Sequence, residues 1–467
     1  MTATASSAVS ELTDAANPKL WTSAHARPRT ASGSPSCHAF ARAKLRSGTF
    51  QKNRIASAVV IVASAMLGAG NGCKSMSHPA DVKHAEVEWR QVRARLKHRL
   101  AAQHYSAGRF DETVEVIAES LSLDPRQPNA YVLLANANLE RGDLAAADLA
   151  VRAAWSIGVD AAGLHFAEGV LLEQREEQGG ALTEYAQAFE RDPRPEFLSP
   201  YVECLVGADR LDEAQDILSK NARIVDTDAT LSVIAARLAL LRENLQDAAE
   251  CYRRALVAQP ECKTIERDLG LVLARSGRCD EASSPLEAAL IDCAAWNHHC
   301  GAVRRTLAGC RLAMGQPEKA VELLQAYVET HPDDHPAMLI LAKSAVAAGD
   351  LITGARAIDL ARSARPDDAE VGFMTAVIEW RRGRLRQATD AIAAVLAVRP
   401  DDADAICLLG EVLTAQGRED DAKAMFARAA SLSPENGWAA GRLQKGFAPI
   451  GKPSQGSSEP SGFPSNR

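Results

Sequence analysis

Cysteine and histidine are the side chains of this chain that could most readily do chemistry, and they crowd into one stretch. Six of the ten cysteines fall between Cys251 and Cys310, and the segment from Cys293 to Cys300 also holds two adjacent histidines. Thiolate and imidazole groups are the ligands that zinc prefers. Two cysteines separated by six residues and flanked by histidines match no common metal site, so we predict no bound metal.

Catalytic motifs are missing from the sequence. It contains no Gly-rich phosphate loop, no His-Glu-x-x-His and no serine elbow between glycines. The paired carboxylates that could be taken for acid–base groups, such as Asp333-Asp334, Asp367-Asp368 and Asp401-Asp402, each follow a proline. Carboxylates placed just before a helix stabilise its N-terminus, so we interpret these pairs as helix caps. The sequence therefore predicts no catalytic residue, no cofactor and no enzyme.

Charge limits the class of partner. The chain of 467 residues has a net charge of −7, and its first 54 residues carry eight Lys/Arg against two Asp/Glu, so the remainder is strongly acidic. Nucleic-acid binding needs a cationic surface. We therefore predict no nucleic-acid partner.

The elements that position these residues repeat every 34 residues. Ten units begin at Ala94, Pro128, Ala162, Pro195, Ala229, Lys263, Gly301, His335, Ala369 and Ala403. Each unit reads as two short helices. Nine of the ten units have a small residue at the eighth place, where the fourth unit has Val202, and most units have a turn glycine at the fifteenth place and a closing proline. The third unit has Glu176 where the glycine is expected and Gly179-Gly180 later, which predicts a longer turn. Four extra residues enter near Trp296–Cys300.

The tenth unit, Ala403 to Asn436, carries the pattern most clearly. Gly410 and Ala422 are small enough to let its two helices approach closely, and we expect Phe426 and Leu409 to fill the space between this helix pair and the next. One such pair cannot bury its apolar face alone and needs neighbours.

These units resemble tetratricopeptide repeats, over about three quarters of the chain. The resemblance implies an all-α fold, a right-handed superhelical solenoid of about ten helix-turn-helix repeats over residues 94–436. It also implies a concave groove, lined by the first helices, that binds a protein or peptide.

The resemblance also suggests which residues line that groove, namely those at places 2, 5, 9, 12 and 13 of each first helix. The middle of the groove is then basic, and both ends are acidic, through residues such as Glu196 at one end and Glu370 and Glu411 at the other. Arginine grips carboxylates with two hydrogen bonds, so an acidic partner segment is expected. The predicted partner-binding residues are Arg237, Arg267, Arg275, Arg305, Lys343, Phe373 and Trp380.

Repeat geometry places three cysteines at one edge of the stack. A disulfide between Cys300 and either Cys293 or Cys262 is one interpretation, and it would require an oxidising compartment. The other interpretation is that the cysteines are free and pack as small apolar residues between helices, as Cys204 and Cys310 would in first helices.

The N-terminal region has the composition of a leader and a membrane segment. Residues 1–54 are basic and interpreted as disordered, and residues 55–73 are uncharged and just long enough to span a bilayer. The Lys/Arg excess precedes this run, which places residues 74–467 outside the cytoplasm, on the periplasmic side in a bacterium. The segment also resembles a bacterial lipoprotein signal, which makes Cys73 a lipidation candidate. A retained span, an organelle transit peptide and a buried helix are the alternatives.

The remaining segments complete the predicted organisation. Residues 74–93 form a linker and an entry helix capped by Asp81, residues 437–445 a capping helix, and residues 446–467 a flexible Gly/Ser/Pro tail. Together these features predict a membrane-anchored, extracytoplasmic scaffold that binds proteins and is not an enzyme. The alternatives are a soluble cytoplasmic adaptor, or a regulatory or assembly subunit of an enzyme or secretion complex.

Overall fold

Helices are the only regular elements in the computed structural model over the residues that it describes, 79–291, 300–434 and 437–445. The first helices of the ten units are α1 (Pro79–Ser106), α3 (Pro128–Arg141), α5 (Ala162–Gln174), α7 (Pro195–Gly207), α10 (Ala229–Leu241), α12 (Lys263–Arg275), α14 (Cys300–Ala313), α16 (His335–Ala347), α18 (Ala369–Arg381) and α20 (Ala403–Ala415). The predicted all-α repeat array is confirmed.

The second helices alternate with them along the chain. They are α2 (Phe110–Leu123), α4 (Leu144–Ser156), α6 (Gln178–Arg191), α8 (Leu211–Lys220) with the short α9 (Ala222–Thr227), α11 (Leu245–Ala258), α13 (Cys279–Ile291), α15 (Pro317–Thr330), α17 (Leu351–Ala364), α19 (Leu385–Val398) and α21 (Glu419–Leu432). A last helix, α22 (Gly437–Lys445), lies where the capping helix is predicted. The leader, the apolar segment 55–73, the insertion before Cys300 and the C-terminal tail lie outside the described residues.

The described residues form two bodies. One contains residues 79–244 and 253–260, and the other contains residues 245–252 and the residues from 261 onward. Small and apolar side chains at the facing surfaces of the helix pairs form the core of each. Val151 and Leu164 are fully buried in the first body, and Leu324, Val377 and Phe426 in the second.

The turn inside each unit has one backbone conformation throughout. The residue at the fifteenth place has a positive φ in all ten units, namely Gly108, Gly142, Glu176, Asp209, Glu243, Gly277, Gly315, Gly349, Gly383 and Gly417. The longer turn predicted for the third unit is wrong, because Glu176 itself adopts φ 61° and α6 already begins at Gln178. A left-handed conformation costs a residue with a Cβ about 1–2 kcal/mol, so packing of the two helices imposes the turn where glycine is missing.

Helix caps follow the sequence prediction in the C-terminal units. The side chains of Asp334, Asp368 and Asp402 each accept a hydrogen bond from a backbone N–H in the first turn of the helix that follows. The cap predicted at Asp81 is wrong, because α1 begins at Pro79 and Asp81 lies inside its first turn. The entry helix and the first helix of the repeat array are thus one continuous helix of 28 residues.

The eighth place of a unit contacts the side chain sixteen residues later, on the second helix of the same pair. A Cβ added at Gly410 would lie 2.8 Å from Cζ of Phe426, and one at Gly169 would lie 2.6 Å from the ring of Tyr185. In the ninth unit this place holds Ala376, and the matching residue is Ile392, which is smaller than phenylalanine or tyrosine. Phe426 therefore packs against the first helix of its own pair, and the guanidinium of Arg442 on the following helix α22 lies 6.0 Å from the centre of the same ring.

Candidate partner-binding surface

Neighbouring repeats are joined by ion pairs that start from the end of a first helix. Arg141 lies 2.9 Å from Asp111, Arg175 lies 3.3 Å from Asp148, and Arg242 lies 2.7 Å from Asp212. In each pair the arginine occupies the fourteenth place of one unit, and the carboxylate belongs to the second helix of the preceding unit. These contacts fix the position of one helix pair relative to the next within the N-terminal body.

The predicted basic residues of the C-terminal body also pair with carboxylates. Arg267 donates to Asp268, which lies beside it on α12, with Nη2 2.6 Å and Nε 2.9 Å from Oδ1. Lys343 on α16 pairs with Glu370 on α18. Arg275 is half-buried at the end of α12 and makes no ion pair with any residue in the described part of the chain.

Asp334 contacts side chains of the seventh unit and the backbone of the eighth. One carboxylate oxygen accepts from the backbone N–H of Ala337 and caps α16, while the other takes Arg305 and the Tyr327 hydroxyl, which lies 2.8 Å away. Burial and this hydrogen bond raise the pKa of Tyr327 to about 12. The guanidinium of Arg304 stacks 5.4 Å from the centre of the Tyr327 ring. Asp334 thus joins the seventh unit to the eighth, a role that its position as a cap did not reveal.

The predicted groove is therefore less basic than its sequence suggests. Three of its cations already face carboxylates, namely Asp268 beside Arg267, Asp334 at the end of the seventh unit, and Glu370 in the ninth. Arg237 is half-buried on α10 in the N-terminal body, whereas the other basic residues belong to the C-terminal body. Glu370 could have been matched to Lys343 from sequence, because places 2 and 9 of successive units carry opposite charges.

The two predicted aromatic residues lie at the edge of the C-terminal core. Phe373 and Trp380 are half-buried on α18 and pack against the cluster that includes Leu408 and Val412. Trp380 also lies 5.7 Å from the guanidinium of Arg381. The exposed parts of both rings give the first-helix surface an apolar contact point.

Glu411, predicted to line the groove, is instead buried, and this correction has a clear cause. The C-terminal helix α22 covers it, since Arg442 binds both carboxylate oxygens and Trp438 donates its indole N–H to one of them at 3.0 Å. Only 1% of the Glu411 side chain and 12% of that of Arg442 are exposed. This buried ion pair docks α22 on the last repeat.

One histidine of the N-terminal body lies between two carboxylates. His165 Nδ1 is 2.7 Å from Glu184, and Nε2 is 2.7 Å from Asp160, which also binds Arg191. Both ring nitrogens are therefore engaged, and the group links α5 and α6. Over the same described residues, no group of three His, Cys, Asp or Glu side chains is arranged to hold a metal ion.

Cysteines divide into one that is bonded and several that are free. Cys262 is disulfide-bonded, whereas Cys204, Cys279, Cys310 and Cys407 have free thiols. The two predicted partners, Cys293 and the side chain of Cys300, lie outside the described part of the chain. Burial raises the pKa of Cys204 to about 11 and that of Cys407 to about 12, so both stay protonated at neutral pH.

Family comparison agrees with this arrangement of helices. A family model described as tetratricopeptide repeat matches residues 88–349, more than half of the chain, and a second model of the same description matches residues 373–437. The chain belongs to the tetratricopeptide repeat family. No curated protein matches it closely enough to assign a more specific relationship.

Solved tetratricopeptide repeat proteins resemble the chain only in part. TTC0263, a thermophilic TPR protein of Thermus thermophilus, is 22% identical over 39% of this chain and 97% of its own, with a TM-score of 0.34. YrrB, a TPR protein with an unusual peptide-binding site, is 16% identical over 42% of this chain and 100% of its own, with a TM-score of 0.33. The APC/C hetero-tetramer Cut9-Hcn1 is 14% identical over 75% of this chain and 76% of its own, with a TM-score of 0.39.

A helix that crosses a bilayer must be both long and apolar. Among the tetratricopeptide helices and the other helices of the described residues, none combines the length and apolar character needed. The predicted segment 55–73 and the lipidation candidate Cys73 lie outside those residues.

Proposed function

We propose that this tetratricopeptide repeat chain is a non-enzymatic scaffold that binds a segment of another protein on the surface of its first helices. The observation that carries the proposal is that consecutive first helices of the C-terminal body contact one another, so α12, α14, α16, α18 and α20 present one continuous surface. A continuous row of helices suits an extended segment, because each repeat can add a contact.

Apolar side chains supply most of the binding energy in this proposal. Phe373 and Trp380 keep half-buried rings on the first-helix surface, and aromatic anchors of this kind dominate binding energy at interfaces. Acidic side chains of the partner would add less. At Arg305 and Lys343 they must compete with Asp334 and Glu370. Each new ion pair would therefore contribute only about 0.2–1 kcal/mol to the binding free energy. Arg275 has no such competitor among the described residues and is the preferred position for a partner carboxylate.

Site-specific photo-crosslinking tests the binding surface. A photoreactive amino acid at Phe373, on first helix α18, should capture a partner in cells, and the same probe at Asp390, exposed on second helix α19, should not. Trp380→Ala should then reduce capture from position 373. Equal capture from both positions, or a capture from position 373 that Trp380→Ala leaves unchanged, would refute the proposed surface.

A second part of the proposal concerns location. We propose that residues 55–73 hold the chain at a membrane with the repeats outside the cytoplasm, and that the partner is met there. The uncharged run after a basic cluster supports the anchor, and the disulfide bond of Cys262 supports an oxidising compartment. The acceptor of a lipid, in this proposal, is Cys73.

Fractionation and lipid labelling test the location. The chain should sediment with membranes, and protease added outside the cytoplasm should digest the repeats. Cys73→Ala should abolish incorporation of labelled fatty acid. Uncleaved chain found wholly in the soluble fraction would disprove the anchor, and an unlabelled wild type would disprove lipidation alone.

A further inference from the structure

An exposed apolar stripe runs along the first helix, α1. Val82, Trp89, Val92, Leu96 and Leu100 are all exposed, with 62% of Trp89 and 57% of Leu96 accessible. At 3.6 residues per turn these five side chains fall within an arc of about 80°, so they form one continuous face. Five large apolar residues on one exposed face are unusual for a soluble surface and indicate an interaction site.

This face does not take part in packing the repeats. Ala94 and Ala101, both fully buried, mark the side of α1 that contacts α2, and the centre of the stripe lies about 150° around the helix from them. The first turns of α1 also extend past α2, since every residue from Val82 to Arg90 is exposed. A second helix can therefore reach the stripe without displacing any described part of this chain.

Charge along α1 is divided between its two halves. The first half, residues 79–92, contains the acidic residues Asp81, Glu86 and Glu88 and the basic residues Lys83 and Arg90. The second half, residues 93–106, contains only basic residues among its charges, namely Arg93, Arg95, Lys97 and Arg99. Lys97 is already paired with Glu119 of α2, and His84 lies 3.8 Å from Glu88. A helix with opposite charges at its two ends is complementary to a second copy of itself that runs in the opposite direction.

We propose that this chain forms a homodimer in which two α1 helices pack antiparallel along the exposed stripe. Heptad positions support one register. With Val82, Trp89 and Leu96 at a positions, and Ala85 and Val92 at d positions, the two-fold axis lies between Arg90 and Gln91. Trp89 of one copy then meets Val92 of the other, and Ala85 meets Leu96.

The same register pairs the charges that flank the apolar stripe. Glu88 and Arg95 fall at g positions and face each other across the two-fold axis, and Glu86 and Arg93 at e positions do the same. Each pair occurs twice in the dimer. A parallel pair would bring Glu88 to Arg93 but would place Arg95 beside the apolar Leu100, so the antiparallel arrangement makes more contacts between opposite charges.

Charge-swap variants test this register in the full-length chain, purified in mild detergent and followed by sedimentation over a concentration series. Glu88→Arg and Arg95→Glu should each weaken the dimer by about tenfold, because each brings like charges together twice. An equimolar mixture of the two variants should restore affinity to within about twofold of the wild type, since the opposite charges then meet across the heterodimer. The double variant E88R/R95E should be restored in the same way.

An apolar variant and a matched control complete the test. Trp89→Ser should weaken the dimer by about a hundredfold, whereas Val87→Ser, which alters a residue on α1 that is 51% exposed but lies off the stripe, should leave it unchanged. Circular dichroism should show the same helicity for all variants. A monomeric wild type overturns the proposal. So does an oligomer that the charge reversals and their mixture do not affect, because residues 55–73 or a different protein would then cover the stripe.

Discussion

The contact between Gly410 and Phe426 provides a quantitative test of how each helix pair is closed. A Cβ at position 410 would lie 2.8 Å from Cζ, 2.9 Å from Cε1 and 3.0 Å from Cε2 of a ring that is fully buried. Carbon atoms in contact prefer about 3.5–4.0 Å, so Gly410→Ala must move the ring or the helix by about 0.7 Å. Overpacking of this kind costs roughly 1–3 kcal/mol.

Helix propensity partly offsets this cost. Replacing glycine by alanine inside a helix contributes about 1 kcal/mol of stability, so the net loss in Gly410→Ala is roughly 0–2 kcal/mol. Gly309, inside α14, is a matched control for helix propensity alone, because a Cβ there would meet nothing within 4 Å. Gly309→Ala should therefore be neutral or stabilising by up to about 1 kcal/mol.

A double-mutant cycle isolates the packing energy. Phe426→Ile alone leaves unfilled space beside Gly410 and should cost about 1–2 kcal/mol. Gly410→Ala combined with Phe426→Ile recreates the alanine and isoleucine found at Ala376 and Ile392 of the ninth unit. The double variant should be more stable than the sum of the single changes predicts, by at least about 1 kcal/mol.

Hydrogen exchange followed by mass spectrometry is the suitable assay, because a repeat array opens locally and need not unfold in one step. Protection should fall in α20 and α21 of the single variants and return in the double variant, while α2 and α3 stay unchanged. Strict additivity of the two changes would refute direct packing between the two positions. Equal loss of protection in every repeat would refute local closure of the helix pairs.

Three further predictions concern single side chains. Glu176→Gly should raise the free energy of unfolding by about 0.5–1 kcal/mol, as seen by urea denaturation, because relief of the positive φ exceeds the backbone entropy that glycine adds to the unfolded chain. Glu411→Gln should cost about 3 kcal/mol of local stability by leaving the buried Arg442 without its counter-charge, and exchange in α22 should rise selectively. Hydrogen bonds from Arg191 and then His165 lower the pKa of Asp160. The stability that the Asp160 carboxylate contributes is therefore present above its ordinary pKa of 3.8 and is lost as the pH falls through the lower value of the folded state. Asp160→Asn should flatten the fall in thermal stability over that acid range, and an unchanged slope would contradict this.

The sequence was most informative where one residue determines local geometry. The turn at the fifteenth place and the caps at Asp334, Asp368 and Asp402 depend on neighbours within a few residues, so period and residue type predict them. Glu176 shows the limit of this reasoning. Its unfavourable φ is imposed by the packing of α5 on α6, which no local preference reveals.

Charge pairing was much harder to predict, because it depends on how far one first helix is shifted relative to the next. Lys343 and Glu370 are 27 residues apart, so their opposite charges at places 9 and 2 of successive units indicate a contact only once the stacking of α16 on α18 is taken into account. The burial of Glu411 likewise needed the position of α22. The stripe on α1 escaped notice because its residues resemble the buried face of any amphipathic helix, and only the packing of Ala94 and Ala101 shows which face is covered.

The double role of Asp334 affects where this array can be cut and rejoined. A repeat excised just before the helix cap, so that it ends at Asp333 and the next begins at Asp334, would separate Arg305 and Tyr327 from the carboxylate that both contact. The residue at which one repeat ends along the chain and the residue at which its side-chain contacts end are thus different. Grafted or circularly permuted arrays built from these repeats should keep the capping aspartate with the repeat before it and supply a new cap to the repeat that follows.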